Sequence, residues 1–121
     1  MIGYATIGSN DLEKAKGFYD KVLVPLGGKR TMTMDRMQGY GNGAGAMLAV
    51  CRPYDEKAAS AGNGTMIALA APSRQVVDDT YKAALANGGT DEGAPGLRGD
   101  TFYGAYFRDL DGNKICVFNM G

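Results

Sequence analysis

Few residues in this chain can do chemistry at neutral pH, and their spacing narrows what that chemistry is. The 121 residues include no histidine, so neither a Ser-His-Asp nor a Cys-His nucleophile can assemble. Cys51 and Cys116 are too few for a disulfide framework and too far apart for a clustered zinc site. Both are expected as buried free thiols, since a reducing cytoplasm argues against a bridge between them. A reactive Cys116 thiolate needs a cation beside it, and only Lys114, of the same strand parity, is near in sequence. Asp109, Asp111 and Asn113 have the opening spacing of a calcium loop, but Lys114 and Met120 stand where that loop needs Gly and Glu. The run GYGNGAG at 39–45 has G-x-G-x-x-A spacing, yet a strand-like AMLAVC follows it instead of a helix, so it is expected as a hairpin loop.

Thirteen basic and thirteen acidic residues cancel. That balance gives no broad field to draw the protein to nucleic acid or to an anionic membrane, and a small neutral partner is the expectation. No apolar run approaches the roughly 20 residues that span a bilayer, and MIGYATIGSNDLEK lacks the basic start and apolar stretch of a signal peptide. A cytoplasmic location follows as an expectation.

The elements that must position the candidate residues form two similar series. IGYATIG (2–8) reads as a strand, and the segment after it as an amphipathic helix with Leu12, Ala15, Phe18, Tyr19 and Val22 on one face. Asn10 is the expected cap, with Glu13 returning the bond; Pro25 and Gly27-Gly28 stop the helix. KRTMTM, MQGYG and AMLAVC then read as strands separated by turn residues. Small polar residues make 55–63 a connector. Behind it, GTMIALAAP reads as a strand and SRQVVDDTYKAALANGG as a helix capped by Ser73, with Val76, Val77, Tyr81 and Leu85 on one face. A glycine-rich loop, GGTDEGAPGLRGD, leads to strands TFYGAYFRD and NKICVFN around the Asp111-Gly112 turn. An offset of 62 places Tyr4 on Met66, Glu13 on Gln75 and Tyr19 on Tyr81, which predicts an internal repeat.

N-D-L-E-x-A-x-x-F-Y after the first strand, G-N-G-T at 62–65 and R-D-x-D-G-N-K-I at 108–115 occur in an order that resembles the glyoxalase / bleomycin resistance protein / extradiol dioxygenase superfamily, the vicinal oxygen chelate proteins. The resemblance covers nearly the whole chain. It implies an α+β fold of two βαβββ modules, about 1–54 and 64–121, forming a cup-shaped mixed sheet for a small molecule in a single domain. It further implies a homodimer, with the cup formed within one chain or across two. Metal-dependent members place His, Glu or Gln on the first and last strands of each module. Carried over, those positions fall on Tyr4, Ala49, Met66 and Cys116, Ala49 through alignment of Gly45 with Gly112.

That set does not suit a divalent hard or borderline ion, because alanine donates nothing and a thioether suits only soft ions. The expectation is therefore no metal and no cofactor, and a cup lined by Tyr4, Thr6, Met47, Ala49, Met66, Cys116 and Phe118. Tyr103 or Tyr106 adds a phenol, alternation allowing only one of them to face inward. Such a surface fits a small, largely apolar ligand. Two other functions stay open: a divergent lyase or isomerase using Tyr4 as acid or base and Cys116 as nucleophile or ligand, and a structural or regulatory dimer with a filled cup.

Overall fold

A computed structural model describes residues 1–121. Tyr4–Gly8 forms strand β1, and helix α1 follows at Leu12–Val22. A 3-10 turn at Val24–Leu26 leads into β2 (Lys29–Met34), β3 (Met37–Gly41) and β4 (Met47–Cys51). The second series is β5 (Ile67–Ala70), α2 (Arg74–Ala86), β6 (Thr90–Leu97), β7 (Phe102–Arg108) and β8 (Lys114–Met120). The internal repeat is therefore present element for element.

Each series builds its own mixed four-stranded sheet, in the orders β1-β4-β3-β2 and β5-β8-β7-β6. The first strand lies parallel to the last, with Thr6 opposite Ala49 in one sheet and Ala68 opposite Cys116 in the other. The 62-residue offset thus pairs structurally equivalent positions. The two sheets are not closed into one within the chain.

One core joins the modules. Ile7, Tyr40, Leu48 and Val50 from the first sheet and Ala105, Phe107, Ile115 and Val117 from the second pack with the apolar sides of both helices. Phe18 on α1 meets Tyr19 edge-on at 4.9 Å and Phe107 at 6.3 Å, and such aromatic pairs add about 0.5–1.5 kcal/mol beyond their buried area.

The R-D-x-D-G-N segment is the junction. Asp109, 6% exposed, accepts four hydrogen bonds: from the Tyr19 hydroxyl at 2.6 Å, the Asn113 side-chain amide at 3.0 Å, and the backbone N–H groups of Asp111 and Asn113 at 2.9 Å each. Asn113 also donates to the Gly8 carbonyl, and Asp111 accepts from the Asn10 N–H. The motif that resembles a calcium loop is a structural clasp in which both oxygens of the Asp109 carboxylate are taken by protein donors. Gly112 supplies the left-handed turn at φ 84°.

Several expectations need correction. Asp11, not Asn10, caps α1 by accepting from the Lys14 N–H; Asn10 instead pins the connector, exchanging two hydrogen bonds with Ala59. Glu13 pairs with Lys16 and closes no capping box. In α2 the buried side is Val77, Thr80 and Ala84, while Leu85 is exposed. The glycine-rich loop is largely strand β6. Its pairing with β7 shifts register on either side of Gly93, and its edge position tolerates Pro95, so the alternation that marks a strand is broken up.

Candidate functional site

Each sheet has a second face, opposite the shared core, and strand parity places Tyr4, Thr6, Met47, Ala49, Tyr106, Cys116 and Phe118 there, whereas Met66 lies just before β5. On the first sheet Tyr4 lies opposite Met47 and Thr6 opposite Ala49. Tyr4 is 55% exposed and Ala49 1%. Ala49 is covered by a small cluster with Met37 and Cys51. Met34, opposite Met37 on the edge strand β2, is also exposed. This face is apolar and rich in methionine, whose flexible thioether adapts to irregular partners.

The matching face of the second sheet is chemically different. Cys116 is opposite Tyr106, and Phe118 is opposite Gly104. The Phe102 and Phe118 rings stack at 5.2 Å and 9°. A side chain at Gly104 would strike the Phe102 ring, 2.6 Å from the position of a Cβ, so that glycine lets the stack form. Arg98 and Lys114 hold their charges 5.5 and 5.6 Å from the centre of the Tyr106 ring. Arg98 and Phe102 thereby join Lys114 beyond the set read from the sequence; they escaped it because the place of the one, just after β6, and the stacking of the other depend on pairing across β6, β7 and β8.

Alternation resolves the two tyrosines. Tyr103 faces α2, donating its hydroxyl to Asp78 at 2.7 Å beneath the Arg74 guanidinium. Tyr106 is the one beside Cys116. Burial pushes the Tyr106 phenol up from its usual range, with a further contribution from Cys116.

Cys116 is fully buried. Burial raises its thiol above the ordinary range, outweighing the hydrogen bond from Tyr106 and the nearby Arg98 and Lys114 charges. A raised thiol is protonated at neutral pH and a poor nucleophile. The two positively charged neighbours are present, but desolvation wins.

The four positions where relatives hold a metal are Tyr4, Ala49, Met66 and Cys116, and the side chains around them do not fit one. No group of three His, Cys, Asp or Glu side chains comes together anywhere in the chain in a way that could hold an ion. A lone buried thiol beside an alanine leaves a divalent cation without its oxygen or nitrogen ligands.

Two cavities of similar size lie elsewhere. One, of about 460 Å³, is an apolar cleft between the modules walled by Leu23, Leu26, Tyr40, Leu48, Ile67 and Leu69, with Met47 and Met66 at its margin. The other, about 490 Å³, is polar and lies at the end of the first sheet. Tyr4, Thr6, Ala49, Tyr106, Cys116 and Phe118 line neither. The single chain thus brings Tyr106, Cys116 and Phe118 together on one sheet and Tyr4, Thr6, Met47 and Ala49 on the other.

The family model for the glyoxalase/bleomycin resistance protein/dioxygenase superfamily matches residues 1–117. Among solved structures, the chain is similar to a glyoxalase/bleomycin resistance protein from Albidiferax ferrireducens T118, with 36% identity, a TM-score of 0.94, and 100% of this chain and 99% of that one covered. It also shares its fold with a glyoxalase/bleomycin resistance protein/dioxygenase family enzyme from Burkholderia phytofirmans PsJN (18% identity, TM-score 0.79, 98% of each chain). A lactoylglutathione lyase from Agrobacterium tumefaciens is a third (19% identity, TM-score 0.72, 98% and 92%). No curated protein matches the sequence.

Proposed function

The chain belongs to the glyoxalase/bleomycin resistance protein/dioxygenase superfamily, and from that membership we propose that it binds a small, largely apolar molecule without a metal. The observation that carries this is the replacement of the donor positions by Tyr4, Ala49, Met66 and Cys116 on a fold that is otherwise retained in full. A site built to hold substrate oxygens on a cation needs hard donors. One built from methionine, aromatic rings and a neutral thiol favours an apolar surface with few polar handles.

In this proposal the ligand lies between the methionine-rich face carrying Tyr4, Thr6, Met47 and Ala49 and the aromatic face carrying Tyr106, Cys116 and Phe118, one from each of two copies. Support comes from the exposure of the large apolar side chains Tyr4, Met34 and Met66, each left outside the core of a single chain. Lyase or isomerase chemistry through Cys116 is disfavoured by its raised, buried thiol.

A second possibility has its own observation: Met47 and Met66 border the 460 Å³ apolar cleft inside one chain. NMR mapping with small aromatic compounds, together with sedimentation of the same sample, separates the two. Shifts at Thr6, Ala49, Cys116 and Phe118 in a dimer support the shared cup. Shifts at Leu23, Leu26 and Ile67 in a monomer support the cleft. Absence of binding across aromatic and antibiotic libraries defeats both.

A further inference from the structure

The polar cavity of about 490 Å³ lies off both proposed ligand sites, where the ends of β1 and β4 meet the β2–β3 turn and the connector. Its wall contains Arg36, Arg52 and Lys57 with Ser9, Tyr54 and Glu56. The chain's four ion pairs are Lys14–Asp11, Lys16–Glu13, Arg30–Asp20 and Arg108–Glu92, so none of the three wall cations makes a direct ion pair. Both guanidiniums are held by backbone carbonyls instead: Arg36 donates to the Arg52 carbonyl and Arg52 to the Asp35 carbonyl, each at 2.9 Å. Neutral acceptors fix the two side chains without cancelling their charge, and a guanidinium has five N–H donors of which these bonds use few.

Three cations and the one carboxylate of Glu56 give the lining residues an excess of two positive charges, while the neighbouring Asp55 carboxylate accepts the Lys57 backbone N–H at 3.0 Å. Glu56 is also the chain's single non-glycine residue at positive φ, 63°, and backbone strain of that kind concentrates at ligand clamps. Ser9 is 1% exposed; its oxygen accepts the Asp11 N–H at 3.0 Å, which leaves its own proton for a ligand oxygen. Tyr54 is 86% exposed, with one face covered by the Arg36 guanidinium at 5.2 Å and its other face open for stacking.

We propose that this cavity binds a phosphate monoester bearing a small planar group, the phosphate among Arg36, Arg52 and Lys57 and the planar group on Tyr54. A phosphate monoester carries a charge of about −1.5 to −2 at pH 7, the complement of the excess in the wall, and its oxygens suit the fork of an arginine. The site does not depend on the concave faces of the sheets.

The test is a titration of the full chain with phenyl phosphate and with inorganic phosphate, followed by NMR and calorimetry. Saturable one-to-one binding is expected, with shifts at Ser9, Arg36, Arg52 and Lys57. Arg52→Gln weakens it about tenfold or more. Lys57→Gln, whose side chain makes no hydrogen bond in the fold and so leaves folding intact, weakens it severalfold. Tyr54→Ala weakens phenyl phosphate and leaves inorganic phosphate unchanged, and Lys82→Gln on α2 changes neither. Affinity for phenyl phosphate falls as pH drops below about 6, where the dianion is lost. Non-saturable shifts scattered over surface lysines, unaltered affinity in both Arg52→Gln and Lys57→Gln, or shifts confined to β1, β4, β7 and β8 would overturn the proposal.

Discussion

Tyr19→Phe removes one oxygen atom and isolates one of the hydrogen bonds that tie the two modules together. The Tyr19 hydroxyl donates to Asp109 at 2.6 Å, and Tyr19 is 1% exposed. A hydrogen bond to a charged acceptor contributes about 1.5–3 kcal/mol, and the Asp109 oxygen that loses it retains only the Asn113 amide, so the change is expected to cost ~2 kcal/mol. With an unfolding entropy of about 2.1 cal/mol/K per residue, 121 residues translate that loss into a Tm drop of roughly 8 °C. The pH dependence adds a second readout. Burial, then the Asp109 charge, raises the Tyr19 phenol well above the tyrosine range. Its contribution is therefore fully present below the unfolded value of about 10 and is lost as pH rises toward the higher folded value. Above pH ~10 the unfolded chain releases this proton while the folded chain keeps it, which lowers stability by up to about 1.4 kcal/mol per pH unit. Urea unfolding of Tyr19→Phe is expected to give a lower midpoint at neutral pH and a shallower loss above pH 10 than the parent protein. A variant within about 2 °C of the parent, with the same alkaline slope, refutes the clasp as an energetic junction.

Other expectations can be checked by similarly small changes. Asp11→Ala costs about 1 kcal/mol through loss of the α1 cap, whereas Asn10→Ala leaves helix content intact and speeds proteolysis of the connector it pins at Ala59. Gly89→Ala places a Cβ 2.8 Å from the Ala84 carbonyl oxygen and 2.9 Å from that of Arg108, so urea unfolding is expected to register a loss of about 1–3 kcal/mol. Under native conditions at pH 7, Cys116 is expected to react with a thiol reagent at least about tenfold more slowly than free cysteine, because it is buried and its thiol is raised; reaction at the free-cysteine rate contradicts the placement.

The sequence carried the fold wherever periodicity was clean. α1 shows its buried side as Leu12, Ala15, Phe18, Tyr19 and Val22, all at helical spacing, and the Asp111-Gly112 turn marks the hairpin that follows β7. β6 was obscured because Gly93, Pro95 and Gly96 interrupt alternation, and only its pairing with β7 defines it as a strand. The cap of α1 was misread by one residue because Asn10 and Asp11 are both good caps, and only the long-range bond to Ala59 decides which is free for the helix. At the site, parity alone set Cys116 with Phe118 and Tyr4 with Thr6. It set Lys114 beside Cys116 as well, but it could not reveal Arg98 and Phe102 on the same face, since one lies after β6 and the other on β7. Nor did it mark the basic cavity, although R-P-Y-D-E-K at 52–57 concentrates its cations and tyrosine in a short stretch.

The most direct test of the central claim is NMR chemical-shift mapping with small aromatic compounds on protein whose metal content has been measured and stripped by chelation. Saturable binding that perturbs Thr6, Ala49, Tyr106, Cys116 and Phe118 in the stripped protein, unchanged when zinc, manganese or nickel is restored, is the predicted result. Binding that appears only after one of these ions is added would contradict it.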